Sequence, residues 1–235
     1  MNLANWVVVF DLDDTLISEL EYQRSGIAAV EAAIEVLYDV PFGGCIQNAL
    51  EEGVDDLWGW ACQKLSLPFD VKDSLLWLYR LHVPSISLAS GIRATLDTLA
   101  LRQAHLSVLT DGRSVTQRLK LSATGLVSIP VFISEDHDSV KPNPDRFIAI
   151  ENRWPGCRYV YVADNPAKDF LAPNTRGWLT LGANWINPRV HPFESLPLEG
   201  CQPKYWLHEP VQVIHRIEAV QLGFANLLDP NCTSC

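Results

Sequence analysis

Short apolar runs that end on polar or acidic residues constrain this chain more than any other feature. Residues 6–11 read WVVVFD, followed by LSVLTD at 106–111, SIPVFIS at 128–134, CRYVYVAD at 157–164 and GWLTLGAN at 177–184. Runs rich in β-branched residues and without polar alternation describe strands sheltered on both faces, as in a parallel sheet. Helical stretches lie between them: GIRATLDTLALRQ at 91–103, RSVTQRLKLSATG at 113–125 and PDRFIAIENRW at 144–154. Strand and helix alternating in this way predict a doubly wound α/β sheet. Such sheets bind ligands beyond the carboxyl ends of their strands. Asp11, Thr110 with Asp111, and Asp164 with Asn165 would therefore meet at one edge.

Residues 18–87 break the alternation. Leu20, Ile27, Val30, Ile34 and Leu37 recur at helical spacing, and CIQNALEEG, VDDLWGWACQKL and VKDSLLWLYRLH follow without a strand pattern. About four helices are expected, joined by loops around Gly43-Gly44 and Pro68-Phe69, with Trp58, Trp60 and Trp77 in their core because amphipathic helices need large apolar groups to pack. The division predicted is a catalytic core of residues 1–17 and 88–235, with a C-terminal extension, and an inserted helical domain of residues 18–87.

Composition narrows the partners. A net charge of −10 without a Lys/Arg block opposes a phosphate backbone, so no nucleic acid is expected. The residues after Met1 lack the basic region of a secretion signal, and no apolar stretch reaches membrane-spanning length, so a cytoplasmic protein without a membrane partner is expected. Cysteines at 45, 62, 157, 201, 232 and 235 are too irregular for a disulfide scaffold. Cys232 and Cys235 form a C-x-x-C, but a second ligand pair at zinc-finger spacing is missing. Nothing in the sequence separates a monomer from a dimer.

The acidic residues carry the chemistry. Asp11, the first residue past VVVF, is placed to be a nucleophile or a metal ligand, and Asp13 reaches the same ligand from the turn. A carboxylate attacking phosphorus forms an acyl phosphate, while a second carboxyl protonates the leaving alkoxide and later takes a proton from water. In LTDGRS, the Thr110 hydroxyl and the amides of Asp111 and Gly112 can hold phosphate oxygens. The ammonium of Lys141, in SVKPNPDRF, can neutralise both phosphate and nucleophile. Magnesium prefers hard oxygen ligands, which Asp11, the Asp13 carbonyl and Asp164 offer. Asp169 would help from the edge, by way of a water or by orienting Lys141.

These four segments, DLDDT at 11–15, LTDG at 109–112, KPNP at 141–144 and ADNPAKD at 163–169, together resemble the motifs of the haloacid dehalogenase superfamily of phosphohydrolases, in the family's order. The resemblance implies a Rossmann-like core from residue 6 to about 184, with residues 18–87 as the helical cap inserted after the first motif. It implies Asp11 as nucleophile, Asp13 as general acid/base, Thr110 as phosphate ligand, Lys141 as charge clamp, Asp164 as Mg2+ ligand and Asp169 as the second acid of the last motif. Two residues depart from the common pattern. Ala163 stands where many relatives have Gly, and Asp111 where many have Asn, so the Asp111 side chain is expected to point away from the phosphate.

The same fold hosts dehalogenases, phosphonatases, phosphomutases and phosphatases. A dehalogenase needs neither the acid Asp13 nor a metal. A phosphonatase needs an imine-forming cap lysine, for which Lys64 and Lys72 lack a suitable context. A small phosphorylated metabolite, a sugar phosphate or nucleoside monophosphate, is the expected substrate of a magnesium-dependent hydrolase. A phosphomutase and a non-catalytic phosphate-binding protein stand as alternatives. Tyr22, Gln23, Arg24, Gly43 and Gly44 are the expected substrate-facing groups of the cap.

Overall fold

The computed structural model describes residues 1–188 and 200–223; the Cys232/Cys235 pair lies outside them. In chain order the elements are β1 (Trp6–Phe10), α1 (Glu19–Tyr38), α2 (Cys45–Glu51), α3 (Leu57–Lys64), α4 (Val71–Leu81), α5 (Ile92–Leu101), β2 (His105–Thr110), α6 (Ser114–Ala123), β3 (Val131–Ile133), α7 (Ser134–His137), α8 (Asp145–Arg153), β4 (Arg158–Ala163), α9 (Leu171–Thr175), β5 (Leu179–Ala183), β6 (Tyr205–Leu207) and α10 (Gln212–Gln221). They fall into two compact units. One comprises Met1–Ile17, Leu88–Asp111 and Ile129–Cys235, the other Ser18–Ser87 and Gly112–Ser128.

The first unit is built on a six-stranded parallel sheet ordered β3-β2-β1-β4-β5-β6. All five residues of β1 are buried, as its unbroken apolar run requires of a central strand. Val8 pairs with Leu106 on one side and Val160 on the other. Val7 and Val9 pack with Leu109, Phe147, Tyr161 and Phe170 in one continuous core. Each such side chain, fully buried, contributes roughly 1.5–3 kcal/mol. Strand order reverses beside β1, and this switch point is where sheets of this kind place ligands. β6 is an addition to the expected five strands. Its three residues carry no readable period, and pairing with β5 defines them as a strand.

The second unit packs Ile27, Val30 and Ile34 of α1 with Phe42, Ile46, Ala61, Cys62 and Leu75. Ser18 caps α1 by accepting from the Glu21 N–H at 3.3 Å. Gly26 lets α4 come close: a Cβ there would lie 2.5 Å from the Tyr79 ring. Trp58 and Trp60 pack against this core. Trp77 and Leu37 do not; they are 46% and 68% exposed, because the apolar arcs of α4 and α1 are wider than the faces that find partners. The alternating pattern assigns residues 112–128 to the sheet unit, yet they group with the helices of 18–87. Here α6 packs along α4, and Lys120 sets its ammonium 4.1 Å from the ring centre of buried Tyr22.

Candidate active site

The carboxyl end of β1 delivers Asp11, buried to 3% exposure, whose backbone N–H continues the ladder by donating to Val162 O at 2.9 Å. The chain then turns sharply. Leu16 and Ile17 both donate to the Leu12 carbonyl, Asp14 takes a left-handed conformation (φ 51°), and the Trp185 indole N–H donates to Thr15 O at 2.8 Å. Asp tolerates that backbone because its short side chain bonds locally. Asp11 and Asp14 are buried in this turn, whereas Asp13 between them is partly exposed.

The Asp11 carboxylate is held at both oxygens. Oδ1 accepts from the Leu12 N–H at 2.8 Å, and Oδ2 lies 2.9 Å from Lys141 Nζ. The same ammonium reaches Asp169 Oδ1 at 2.6 Å and donates to the Tyr161 hydroxyl oxygen at 3.2 Å. Tyr161 in turn donates to Asp169 Oδ1 at 3.1 Å, and Asp169 Oδ2 accepts from the Asn165 N–H at 3.0 Å. Lys141 thus bridges two carboxylates that would otherwise repel.

Burial pushes the Asp11 carboxyl up to about 6, and Asp169 adds to the rise, although Lys141 and Lys168 oppose it. Burial alone would lower Lys141, but Asp11 and Asp169 outweigh it and hold the ammonium well above its ordinary value. Lys168 is raised too: burial and Lys141 pull it down, and Asp11 and Asp169 pull it further up. Burial first, then Asp169, keeps the Tyr161 phenol neutral.

Asp164, one residue past β4, completes the cluster. Ligand oxygens of Asp11, Asp164 and Asp169 all lie within 4.8 Å of one another. Against these three carboxylates stand the two ammonium groups of Lys141 and Lys168. The residual negative charge and the all-oxygen donor set fit a hard divalent cation. Asp169 already accepts from three donors, Lys141, Tyr161 and Asn165, against two for Asp11, the Leu12 N–H and Lys141, so Asp11 keeps more lone-pair capacity for such a cation.

At the end of β2, Thr110 is 1% exposed. The Asp111 carboxylate turns toward Arg146, which is fully buried and also donates to the Thr110 carbonyl at 2.7 Å. It accepts from the Lys141 N–H as well, at 3.3 Å. Gly112 adopts φ +140°, a region that side chains rarely enter.

Three of the five cap residues, Gly43, Gly44 and Tyr22, have a different fate from the one their sequence suggests. The Gly43 N–H donates to Glu35 at 2.6 Å and the Gly44 N–H to Glu31 at 2.9 Å. Glu31 also takes the Ile46 and Gln47 amides, capping α2 from α1. These two glycine amides are committed to structure rather than open to a ligand. Tyr22 is 4% exposed beneath Lys120, with its ring against Tyr79 and His82. Gln23 is partly exposed and Arg24 exposed.

Three members of the cluster escape a reading by motif. Arg146 occupies the buried face of α8 beside Phe147 and Ile150, where a cation signals a hidden anion. Tyr161 sits in a fully buried strand run, where its hydroxyl must find a partner. Lys168 is the residue before Asp169 and is masked in the sequence by the solvated appearance of NPAKD.

Fold and site together define an α/β protein with an acidic, lysine-clamped centre at the switch point of its sheet. The chain belongs to the haloacid dehalogenase-like hydrolase family, whose model matches residues 7–174. Solved structures agree in fold. The HAD hydrolase YfnB of Bacillus subtilis, in a magnesium-bound form, superposes with a TM-score of 0.59 at 20% identity, over 89% of this chain and 96% of that one. A predicted phosphoglycolate phosphatase of Haemophilus somnus gives 0.60 at 17%, over 90% and 97%. A 2-haloacid dehalogenase of Pseudomonas syringae gives 0.60 at 19%, over 91% and 98%. No curated protein matches the sequence. Among the described residues, no helix is long and apolar enough to cross a membrane.

Proposed function

We propose that the protein is a magnesium-dependent phosphatase of small phosphate monoesters, working through an aspartyl phosphate on Asp11. The observation that carries this is the Asp11 carboxylate, fixed by the Leu12 N–H and Lys141 and grouped with Asp164. Its Oδ attacks phosphorus, and the bond from phosphorus to the ester oxygen breaks. Asp13, more accessible than its neighbours, gives its proton to the leaving alkoxide and then takes one from the water that hydrolyses the acyl phosphate.

Thr110 and the amides that follow it hold nonbridging oxygens, with Asp111 drawn aside by Arg146 so that its charge is neutralised away from the phosphate. Lys141 offsets the charge of the incoming phosphate and fixes the nucleophile. Asp11, Asp164 and the Asp13 carbonyl would hold a magnesium ion, which would supply further charge neutralisation. Asp169 positions Lys141 and leaves the ion to the others. Residues 18–87, as a cap domain, carry the selection of the organic group, with Gln23 and Arg24 its available polar side chains.

The Asp13 acid favours ester cleavage over halide displacement, which needs no proton for its leaving group. A panel of sugar phosphates and nucleoside monophosphates, assayed with magnesium and again with EDTA, tests the reading. Turnover is expected with magnesium alone, and acid-quenched protein should carry phosphate on the peptide containing Asp11. Release of halide from 2-haloacids without any ester hydrolysis would overturn it.

A further inference from the structure

The opposite edge of the sheet holds a second concave site. A cavity of about 530 Å³ opens where β1, β4 and β5 begin and β6 is approached, within the size range of small-molecule sites. Strands rise about 3.3 Å per residue, so the five steps from Trp6 to Asp11 separate it from the aspartate cluster by roughly 16 Å. Its walls are aromatic: Trp6, and the stacked pair Tyr159 and Trp178 with ring centres 4.8 Å apart.

Its charge runs against that of the chain. In a protein of net charge −10, three cations, Arg158, Arg176 and Lys204, line this one cavity with a single carboxylate, Glu151. Glu151 is committed to Arg176 by a two-oxygen ion pair and to the Trp178 indole N–H at 2.9 Å. Arg158 and Lys204 have no carboxylate partner among the described residues. Arg158 rests 4.2 Å above Trp6, and Lys204 lies 5.8 Å from the Tyr205 ring centre. The Trp6 indole N–H, buried in the same wall, also lacks a hydrogen-bond partner among the described residues. A buried indole donor is ordinarily satisfied; Arg158 and Lys204 are exposed and hold their charges toward water at the mouth of the cavity.

We propose that this cavity binds a small organic dianion, a phosphate monoester or a dicarboxylate, at a site separate from the aspartate cluster. The lining carries a surplus of two positive charges, matching a dianion. Arg158 and Lys204 take the anionic groups, the Arg158 fork in two parallel hydrogen bonds. The partly exposed Tyr159 ring, backed by Trp178, covers the organic part. Arg176, held by Glu151, shapes the pocket and adds its field. The inference is independent of any reaction at Asp11.

Cys157 lies in the lining as a partly buried free thiol and gives a local readout. AMP, succinate and uncharged adenosine would each be titrated into the EDTA-treated full chain, with iodoacetamide alkylation of Cys157 followed by peptide mass spectrometry and Cys45 as internal control. AMP or succinate is expected to protect Cys157 and leave Cys45 unaffected, and adenosine to protect neither. Protection by AMP assigns the phosphate class, and protection by succinate alone the dicarboxylate class. Lys204 is solvent-exposed, so Lys204→Ala should fold normally; losing one charge-assisted contact should raise the half-protecting concentration by about tenfold. Arg158→Ala/Lys204→Ala should abolish protection. No protection by either anion, equal protection by adenosine, or unchanged protection in Lys204→Ala would overturn the proposal.

Discussion

Replacing Lys141 with Met removes a fully buried cation that touches Asp11 at 2.9 Å and Asp169 at 2.6 Å. Breaking a buried ion pair by deleting one partner costs about 3–5 kcal/mol, because the abandoned charge stays desolvated. Here two carboxylates are abandoned, so the upper end of that range is expected in metal-free protein near pH 8. The sign with pH follows from Asp11. Its carboxyl already stands at about 6 against an ordinary 3.8, with the ammonium still beside it. A carboxyl raised in the folded state weakens folding as pH rises from its unfolded value through its folded one. Without Lys141 that folded value climbs further, so near pH 5 Asp11 is protonated and the penalty should fall to about half. Lys141 itself, raised above 10.5, is fully charged throughout this window and adds no slope. Urea unfolding followed by circular dichroism, in EDTA, measures the difference at both pH values. A penalty under about 1 kcal/mol near pH 8, or one of equal size at both, would refute the electrostatic account.

Arg146→Met should cost about 3 kcal/mol by taking from Asp111 its buried guanidinium partner and from the Thr110 carbonyl the Arg146 bond, and should lower kcat more than it raises KM because the Thr110 turn loses its support; unchanged kinetics would contradict the positioning role. Glu31→Ala removes the acceptor of three amides at the start of α2 and should cost about 2–3 kcal/mol, with faster hydrogen exchange at Gly44, Ile46 and Gln47 as the local mark. Gly26→Ala should destabilise by about 1–3 kcal/mol through its clash with Tyr79, and Tyr79→Leu should relieve much of that in a double-mutant cycle. Addition of magnesium to EDTA-treated protein should raise the unfolding temperature of the wild type and leave Asp164→Asn nearly unmoved, which calorimetry can check.

The sheet was legible because its strands are sheltered on both faces, and such strands show as unbroken apolar runs. All five runs became parallel strands, whereas β6, three residues long, shows no period at all. The helices of residues 18–87 follow from their 3.6-residue spacing, but the spacing does not say which arc is covered, so Trp77 and Leu37 came out exposed. Residues 112–128 follow the strand-helix rhythm of the sheet and yet group with the helices, an outcome set by packing that rhythm cannot encode. At the site, acids at strand ends announce themselves by position. Their partners do not: Arg146 and Tyr161 sit in otherwise apolar patterns, and only burial reveals that their polar atoms have nowhere else to turn. Gly43 and Gly44 show the converse, since a flexible-looking pair proves bound by two glutamates one and two helical turns back along α1.

Those glutamate clasps also bear on the order in which the chain acquires its structure. The bonds from Glu31 and Glu35 to the residues opening α2 close loops of only seven to sixteen residues. The central pairing of β1 waits for a strand that begins 152 positions after Trp6, at Arg158. Short loops close at little entropic cost and quickly, and long ones slowly. During synthesis from the N-terminus, the hairpin of α1 and α2 can therefore form while β1 still lacks its β4 neighbour. The first strand spends that interval with at most β2 beside it, its other edge open until β4 emerges.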